Sequence, residues 1–164
     1  MAAIVASIDE TSVIPHQVRR AMSGEISRSP EDVFAYVTDP SHLPEWQGGV
    51  VRAERIGEGP VAVGTRAVVT RRIGRRELDM TVEIAELDPP RSFAVRSLDG
   101  PVRGENRGTI EPLDDGRRSR VTYELDLRGH GIGRLLVPLV AKRQAQRGTP
   151  RNMEKLKKRL ESGA

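Results

Sequence analysis

The sequence contains no cysteine and few aromatic residues, with one tryptophan, two tyrosines and two phenylalanines among 164 residues. Without cysteine the chain has no disulfide bonds, no thiolate catalysis and no cysteine-based zinc site, and this composition favours a reducing compartment. The scarcity of aromatic side chains argues against the stacking platforms that bind single-stranded nucleic acid. These absences remove several catalytic and nucleic-acid-binding classes from consideration.

The sequence also has no long apolar run. The first residues, 1–17, include Asp9 and Glu10, and they offer neither a basic start nor an apolar stretch long enough for a signal peptide or a membrane span. We therefore expect a soluble, cytoplasmic protein. Residues 1–17 are predicted to be a loose tail with room for one short added strand. Residues 18–164 are predicted to form a single domain, because this length suits one hydrophobic core.

Positive charge is in modest excess, with a formal net charge of +4, which raises the question of an anionic partner. Much of the excess lies in the final predicted helix, where eight basic residues between Lys142 and Arg159 face few acidic ones. Consecutive helical residues point about 100° apart, so this charge is predicted to spread over a solvated helix surface. We expect no specific nucleic-acid binding and no stable membrane association. An interaction module that uses the basic helix remains an alternative.

The segment Gly131–Glu161 is the longest candidate helix. Its apolar residues keep one phase over 25 residues, which is about seven turns at about 3.6 residues per turn. Pro138, Gly148 and Pro150 are positions where such a helix would kink or divide in two. Because the apolar phase is preserved across Gly148, we predict one bent helix. The residues on its apolar side are Leu135, Leu139, Met153, Leu156 and Leu160.

Upstream of this helix the sequence alternates as strands do, and glycine- and proline-rich turns separate up to six strands between residues 49 and 128. The strict alternation at 78–84 and 121–127 predicts a sheet with one covered face and one solvated face. A further strand is predicted at 18–27, and two short helices follow it, one starting near Ser29 and one near Asp39. The fold class is therefore α+β, with the long helix covering one face of an antiparallel sheet.

The connecting motifs carry a family resemblance. They are Ser29–Phe34, Asp39–Trp46, Val63–Thr65, Asp88–Pro90 and the Leu156-Lys157 pair of the final helix. In this order they resemble the polyketide cyclase/dehydrase and lipid-transport family of the START-like, Bet v 1-like helix-grip superfamily (SRPBCC). The resemblance implies a curved seven-stranded antiparallel sheet wrapped around the long C-terminal helix, two short helices after strand 1, and a cavity between sheet and helix.

No catalytic constellation is visible in the sequence. The three histidines, His16, His42 and His130, lie far apart and have no spacing that would bring two of them to one metal ion. The glycines around His130 lack the spacing of a phosphate-binding loop. Catalytic residues are therefore unknown, and we expect neither a metal ion nor a cofactor. The superfamily includes both ligand carriers and enzymes, so the fold does not decide between them.

Three residues are candidates for polar or aromatic contacts with a ligand in the cavity. Trp46 is either a wall of the cavity mouth or a packing anchor for the short helices. Tyr123 has the inward phase of its strand, where it is either a ligand contact or, as is more usual, a core tyrosine with a satisfied hydroxyl. Asn106 would orient a ligand if its strand alternates strictly, unless Gly104 and Gly108 form bulges that reset the phase.

Two arginines, Arg55 and Arg71, also fall in the inward phase of their strands. The favoured interpretation for each is a solvated side chain near a turn, because unpaired buried charge is costly. Apolar inward positions supply the rest of the predicted cavity wall. The complete predicted set of ligand contacts is Trp46, Arg71, Met80, Val82, Phe93, Val95, Asn106, Tyr123, Leu135 and Leu139.

The leading functional hypothesis is the binding, and with it the possible transport, of a hydrophobic small molecule that resembles a lipid, an isoprenoid or a polyketide. The alternative is a cyclase or dehydrase, in which Asn106, Tyr123 or Arg71 would polarise a carbonyl while a base removes a proton. The sequence offers no inward His, Asp or Glu for that base, so we place binding first. The identity of the ligand and the oligomeric state do not follow from the sequence.

Overall fold

A computed structural model of the protein describes residues 13–14, 17–100, 102–131, 134 and 149–163. Within these residues one antiparallel sheet accompanies three α-helices and one 3₁₀ turn, as the α+β prediction requires. The elements are β1 (Val13–Ile14), β2 (Gln17–Ile26), α1 (Pro30–Thr38), the 3₁₀ turn (Pro40–His42), α2 (Leu43–Trp46), β3 (Val50–Ile56), β4 (Arg66–Ile73), β5 (Arg76–Asp88), β6 (Ser92–Ser97), β7 (Val102–Leu113), β8 (Arg118–Gly129) and α3 (Thr149–Glu161).

The strand order β1-β2-β8-β7-β6-β5-β4-β3 confirms the predicted seven-stranded curved sheet. The two-residue strand β1 adds an eighth, short strand at the edge beside β2, within the segment that was predicted to be a loose tail. Consecutive strands from β3 to β8 are joined as a meander, whereas β2 pairs with β8 and places the first long strand beside the last.

The two short helices begin where their capping residues predict. Ser29 accepts a hydrogen bond on its side chain from the backbone N–H of Asp32 (3.2 Å), and Pro30 occupies the first turn of α1. Asp39 ends α1 and caps the next turn by accepting from the Ser41 N–H (2.9 Å). The chain therefore reverses within a few residues and brings α2 over the sheet.

The strand β7 runs beside β8 through 12 consecutive residue pairs without a register shift. Gly104 and Gly108 therefore do not form bulges, and Asn106 keeps the inward phase. Gly108 instead makes room for an aromatic ring, since a Cβ atom there would lie 2.3 Å from the ring of Phe93. Register shifts occur elsewhere, between Val50 and Arg52 in β3 and between Ile84 and Glu86 in β5.

The inner face of the sheet is the face that carries Ile26, Phe93 and Val121, and α1, α2 and α3 pack against one end of it. The outer face is the opposite one. Close packing of α3 depends on Gly24 of β2, where a Cβ atom would lie 2.5 Å from Cγ of Met153. The buried core consists of Ile26, Val33, Phe34, Tyr36, Val37, Trp46, Phe93, Ile110, Val121, Tyr123, Leu156 and Leu160.

The C-terminal helix is attached to the sheet and to the short helices by hydrogen bonds. Glu161 accepts from the backbone N–H of Ser27 (2.8 Å), and the side-chain amide oxygen of Asn152 accepts from the backbone N–H of Gly48 (2.8 Å). Leu156 is fully buried, as its predicted apolar face requires. The predicted continuation of this helix through Gly148 towards residue 131 lies outside the described residues. No helix in the described part of the chain is long and apolar enough to cross a membrane.

Candidate functional site

Beyond the packed core, the inner face continues as a mixed polar and apolar surface. Residues that pair directly across antiparallel strands point to the same face. One such line of paired residues crosses five strands, and we call it the inner row. It consists of Arg20, Leu125, Asn106, Val95 and Ile84. All except the buried Ile84 are half-buried. Two polar side chains, Arg20 and Asn106, thus flank Leu125 in a row whose other members are apolar.

Tyr123 lies next to this row, between the packed core and the inner row. Its ring contacts Trp46 (centroids 5.3 Å apart) and meets the edge of Phe93 (5.8 Å). The residue is 3% exposed, and its hydroxyl has no hydrogen-bond partner among the described residues. Burial raises the pKa of Tyr123, so the hydroxyl is protonated at neutral pH. Tyr123 is therefore a core tyrosine whose hydroxyl is not satisfied by the described residues.

Trp46 is buried at the end of α2 and is 1% exposed. Its ring packs on Tyr123, which fits the role of a packing anchor. Its indole Nε1 is buried as well and, in the part of the chain that the structure describes, donates to no acceptor. The indole N–H can only donate a hydrogen bond. Trp46 therefore anchors the packing of α2 against Tyr123, and it also has an indole N–H that donates to none of the described residues.

Arg20 was not predicted as a site residue. It pairs with Leu125, and its Nε is buried with no partner among the described residues. Burial lowers its pKa, because a guanidinium loses hydration there. The signal was present in the sequence, since alternation from Ile26 through Met22 places Arg20 on the same face.

Arg71 and Arg55 differ, although both have the inward phase. Arg71 is half-buried, donates from Nη2 to Oε1 of Gln47 (2.9 Å), and has its pKa lowered by burial. Arg55 donates instead to the carbonyl oxygen of Gly59 in the following turn. The expectation of a solvated side chain near a turn therefore describes Arg55 and is wrong for Arg71, which lies against α2.

The predicted apolar contacts divide into two groups. Phe93 is fully buried and belongs to the core, where it packs edge-on against Phe34 (6.2 Å). Met80, Val82 and Val95 are only half-buried on the inner face, so they form a partly uncovered apolar wall. Leu135 and Leu139 lie outside the described residues. The ligand-binding role of every residue in the predicted set stays a prediction.

No candidate base for catalysis lies on the described inner face, which carries no Asp, Glu or His. His42 stacks on Tyr36 (4.2 Å) beside Glu45, on the surface of the short helices. His130 is exposed at the end of β8. Across the described ranges, no group of three His, Cys, Asp or Glu side chains is arranged to hold a metal ion.

The outer face has a different electrostatic character. An open depression of about 670 Å³ over β2, β8, β7 and β6 is lined mainly by outer-face residues, and Arg20, Gly104 and Leu125 also contribute to its lining. Its arginines form ion pairs with outer-face carboxylates, for example Arg19 with Asp126 (3.3 Å) and Arg107 with Glu86. A mixed, solvated and largely paired surface of this kind does not resemble an apolar ligand pocket. We therefore place the candidate site on the inner face.

A curved antiparallel sheet, short helices between its first two long strands and a C-terminal helix packed inside the curve define a helix-grip protein. The family model for polyketide cyclase / dehydrase and lipid transport matches residues 17–161. The chain belongs to this family, which confirms the resemblance in the motifs. A comparison with curated proteins returned no match.

Solved structures support the same fold. The Zhui aromatase/cyclase of a Streptomyces species aligns with 89% of this chain and 94% of its own at 14% identity and a TM-score of 0.70. A START superfamily protein from Mycobacterium smegmatis aligns over 91% and 99% of the two chains at 15% identity, with a TM-score of 0.69. A protein from Thermus thermophilus aligns over 89% and 99% at 17% identity and a TM-score of 0.71. At such identities the likeness concerns the fold.

Proposed function

We propose that this protein binds a hydrophobic small molecule, lipid-like or polyketide-like, between the inner face of the sheet and the C-terminal part of the chain. The observation that carries the proposal is a half-buried apolar wall beside hydrogen-bond donors without partners among the described residues. Met80, Val82 and Val95 supply the wall, and Tyr123 and Trp46 supply donors without partners among the described residues. Binding pockets combine an apolar lining with a few convergent polar groups in this way.

Energetics favour a functional role for these donors. A buried polar group without a partner costs about 1–3 kcal/mol relative to a satisfied one, and native proteins contain few of them. The inner face places unpartnered groups of three residues, Arg20, Trp46 and Tyr123, on neighbouring elements. A ligand that accepts hydrogen bonds would offset this cost, whereas nothing about stability alone requires these groups to be there.

Native mass spectrometry of the purified protein provides the first test, and a co-purifying hydrophobic compound is the expected result. The second test is a titration with the neutral fluorescent probe N-phenyl-1-naphthylamine. Val95→Trp fills the proposed space, so it should weaken probe binding by about tenfold, or about 1.4 kcal/mol. Val68→Trp is the matched control, because Val68 is half-buried on the outer face of β4. Equal binding to both variants, or no binding to the parent protein, would contradict the proposal.

A cyclase or dehydrase is the second candidate, because Tyr123 and Arg71 are donors that could polarise a carbonyl oxygen. Such a reaction also needs a base within hydrogen-bond reach of the proton it removes. The described inner face carries no Asp, Glu or His for that role. The test is an assay for cyclisation of a poly-β-ketone, followed by mass spectrometry and absorbance. Cyclisation by the parent protein that is abolished in a folded Arg71→Gln variant would favour the enzyme hypothesis.

Surface docking through the basic helix is the remaining alternative. Leu156 and Leu160 are buried against the sheet, so the apolar face of α3 is not free to insert into a bilayer. The basic residues around them, such as Lys157 and Lys158, are exposed. We expect at most salt-sensitive association with anionic vesicles in a co-sedimentation assay. Binding that survived ~0.5 M salt, beyond the range where exposed charges act over distance, would favour docking.

A further inference from the structure

We propose that the ligand is an amphiphilic acid, with an apolar chain along the inner-face wall and one carboxylate held by Arg20 and the hydroxyl of Tyr123. This inference rests on the proposed function and adds the chemical class of the ligand. Its starting point is the charge on the inner face. In the described strand interiors that face carries three arginines, Arg20, Arg55 and Arg71, and not one Asp or Glu.

The chain after β8 adds no counter-charge to the site. Between Asp126 and Glu154 the sequence contains no acidic residue. The residues of this stretch that the structure leaves undescribed, 132–133 and 135–148, therefore bring no carboxylate to the inner face wherever they lie. Positive charge at Arg20 has no partner from the described sheet, from this stretch or from α3, where Glu154 is exposed and Glu161 is bonded to Ser27.

The neighbouring residue shows that the chain can pair an arginine in this strand. Arg19 adjoins Arg20 in β2 but points to the outer face, where its Nε donates to Asp126 (3.3 Å). Arg20 on the inner face has a buried Nε without a partner among the described residues. Arg20 is half-buried, and a buried N–H donor without an acceptor lowers stability unless a partner arrives. The missing partner is therefore expected to come from the ligand.

The other unused groups match the same chemistry. Tyr123 is protonated and Trp46 has only an N–H to offer, so both present donors. Arg20 and Tyr123 are diagonal neighbours on adjacent strands, because Arg20 pairs with Leu125 and Met22 with Tyr123. Diagonal positions are about 7–8 Å apart, within reach of long side chains. A carboxylate accepts from a guanidinium through charge-assisted bonds and keeps lone pairs for a hydroxyl donor.

Alternative head groups fit less well. An ammonium group would meet the positive charge of Arg20 without a nearby carboxylate. An alcohol could accept one hydrogen bond but would leave the guanidinium charge without a counter-charge. The apolar portion would run from Leu125 along Val95 towards Val82 and Met80, which are half-buried. Asn106, between Leu125 and Val95 in the inner row, can donate or accept and adds no charge.

Three ligands with the same ten-carbon chain and different head groups test which head group the protein prefers. Decanoate, decanol and decylammonium are titrated against protein loaded with N-phenyl-1-naphthylamine at pH 7.5, and displacement of the probe is measured. We expect decanoate to bind about tenfold more tightly than decanol, since the carboxylate adds a charge-assisted hydrogen bond that the alcohol lacks. Decylammonium should bind most weakly. Decanol binding as tight as decanoate, or decylammonium binding tightest, would overturn the inference while the proposed function stands. Failure of the probe and of all three ligands to bind would instead contradict the proposed function.

Matched substitutions in β2 locate the head group. Arg20→Gln should weaken decanoate by about tenfold and far more than it weakens decanol. Arg19→Gln removes the same charge from the outer face and should change both affinities by less than about twofold. Equal effects of the two substitutions would reject the assignment to Arg20. Tyr123→Phe provides an independent check if Arg20→Gln fails to fold. It should weaken decanoate by about threefold or more, and an unchanged affinity would count against the shared site.

Discussion

The two faces of the sheet differ in how they treat charge, although the same strands build both. On the outer face nine arginines form ion pairs with carboxylates, and most of these residues are exposed. On the described inner face Arg20 and Arg71 have no carboxylate partner, and the hydroxyl of Tyr123 has no partner of any kind. Strand alternation thus places the paired and solvated charges on the outer face. It places on the inner face polar groups that have no partner among the described residues.

This difference fits the proposal that the inner face binds a ligand while the outer face keeps the protein solvated. Exposed ion pairs contribute about 0–1 kcal/mol each to the free energy of unfolding. The charges of the outer face therefore keep the protein solvated and change its stability little. Unpartnered buried groups lower stability by about 1–3 kcal/mol each. A protein that has them next to an uncovered apolar wall gives up stability at the site where a ligand would recover it.

The largest expected difference between the faces concerns packing. Ile110 is buried on the inner face and its neighbour Thr109 is exposed on the outer face of β7. Ile110→Ala should lower the free energy of unfolding by about 2–5 kcal/mol, because it leaves a cavity beside the core. Thr109→Ala should lower it by no more than about 1 kcal/mol, through lost strand preference. Urea denaturation of both variants measures the difference, and similar losses would show that the core is not on the inner face.

The second prediction contrasts the two tyrosines and expects opposite signs. Tyr36 donates its hydroxyl to Oε2 of Glu45 (2.7 Å), whereas the Tyr123 hydroxyl has no partner among the described residues. Tyr36→Phe should therefore lower the free energy of unfolding by about 1 kcal/mol, and Tyr123→Phe should leave it unchanged or raise it by about 1 kcal/mol. The measurement uses delipidated protein in urea. A loss of stability in Tyr123→Phe as large as in Tyr36→Phe would show that its hydroxyl is satisfied.

The third prediction concerns acid sensitivity of the outer face. Hydrogen bonds from Arg96 (2.6 Å) and Arg66 (2.9 Å) hold the pKa of Glu83 below its ordinary value of 4.5. A lowered pKa in the folded state gives stability that is present above the unfolded pKa and is lost as the pH falls through the folded pKa. Below about pH 4.5, Glu83→Gln should therefore lose less stability with falling pH than the parent protein. Parallel pH profiles of the two urea midpoints would contradict this prediction.

The smallest expected effect is the loss of a single outer-face ion pair. Arg107 binds Glu86 through both terminal nitrogens, and both side chains are partly exposed. Arg107→Gln should lower the free energy of unfolding by less than about 1 kcal/mol. The difference should shrink further in ~0.5 M salt, where exposed charges are screened over a few ångströms. A larger loss that salt does not change would indicate that this pair is buried and structural.

The sequence allowed the face of each strand to be predicted, but not the partners of the residues on it. Capping by Ser29 and Asp39 is local chemistry, so the two short helices were predicted correctly. Asn106 was placed on the inner face from alternation alone, and the continuous register of β7 supports that placement. The first strand was predicted at 18–27 and is observed at Gln17–Ile26, a difference of one residue at each end.

The hydrogen-bond partner of a side chain depends on residues that are distant in sequence, and for this reason the prediction for Arg71 was wrong. Whether the hydroxyl of Tyr123 is satisfied depends on how α2 and the neighbouring strands pack around it, which local spacing does not encode. Arg71 was expected in solvent because it lies near a turn, yet Gln47 at the end of α2 draws it against the short helices. Arg20 was not predicted as a site residue; alternation in β2 places it on the inner face, and its pairing with Leu125 shows which residues surround it.

The close approach of Gly24 and Met153 has an evolutionary consequence. The two positions together set the separation between the C-terminal helix and the first long strand, because a Cβ atom on residue 24 would collide with the methionine side chain. A glycine cannot become smaller, and the clash involves Cγ and Sδ of Met153, so a larger residue at position 24 is expected to require a replacement at position 153 or a shift of the helix. Family members with a larger residue at position 24 should have a shorter side chain at 153 or a helix displaced outward. The proposed binding space would then change in volume through a contact that lies outside the inner row.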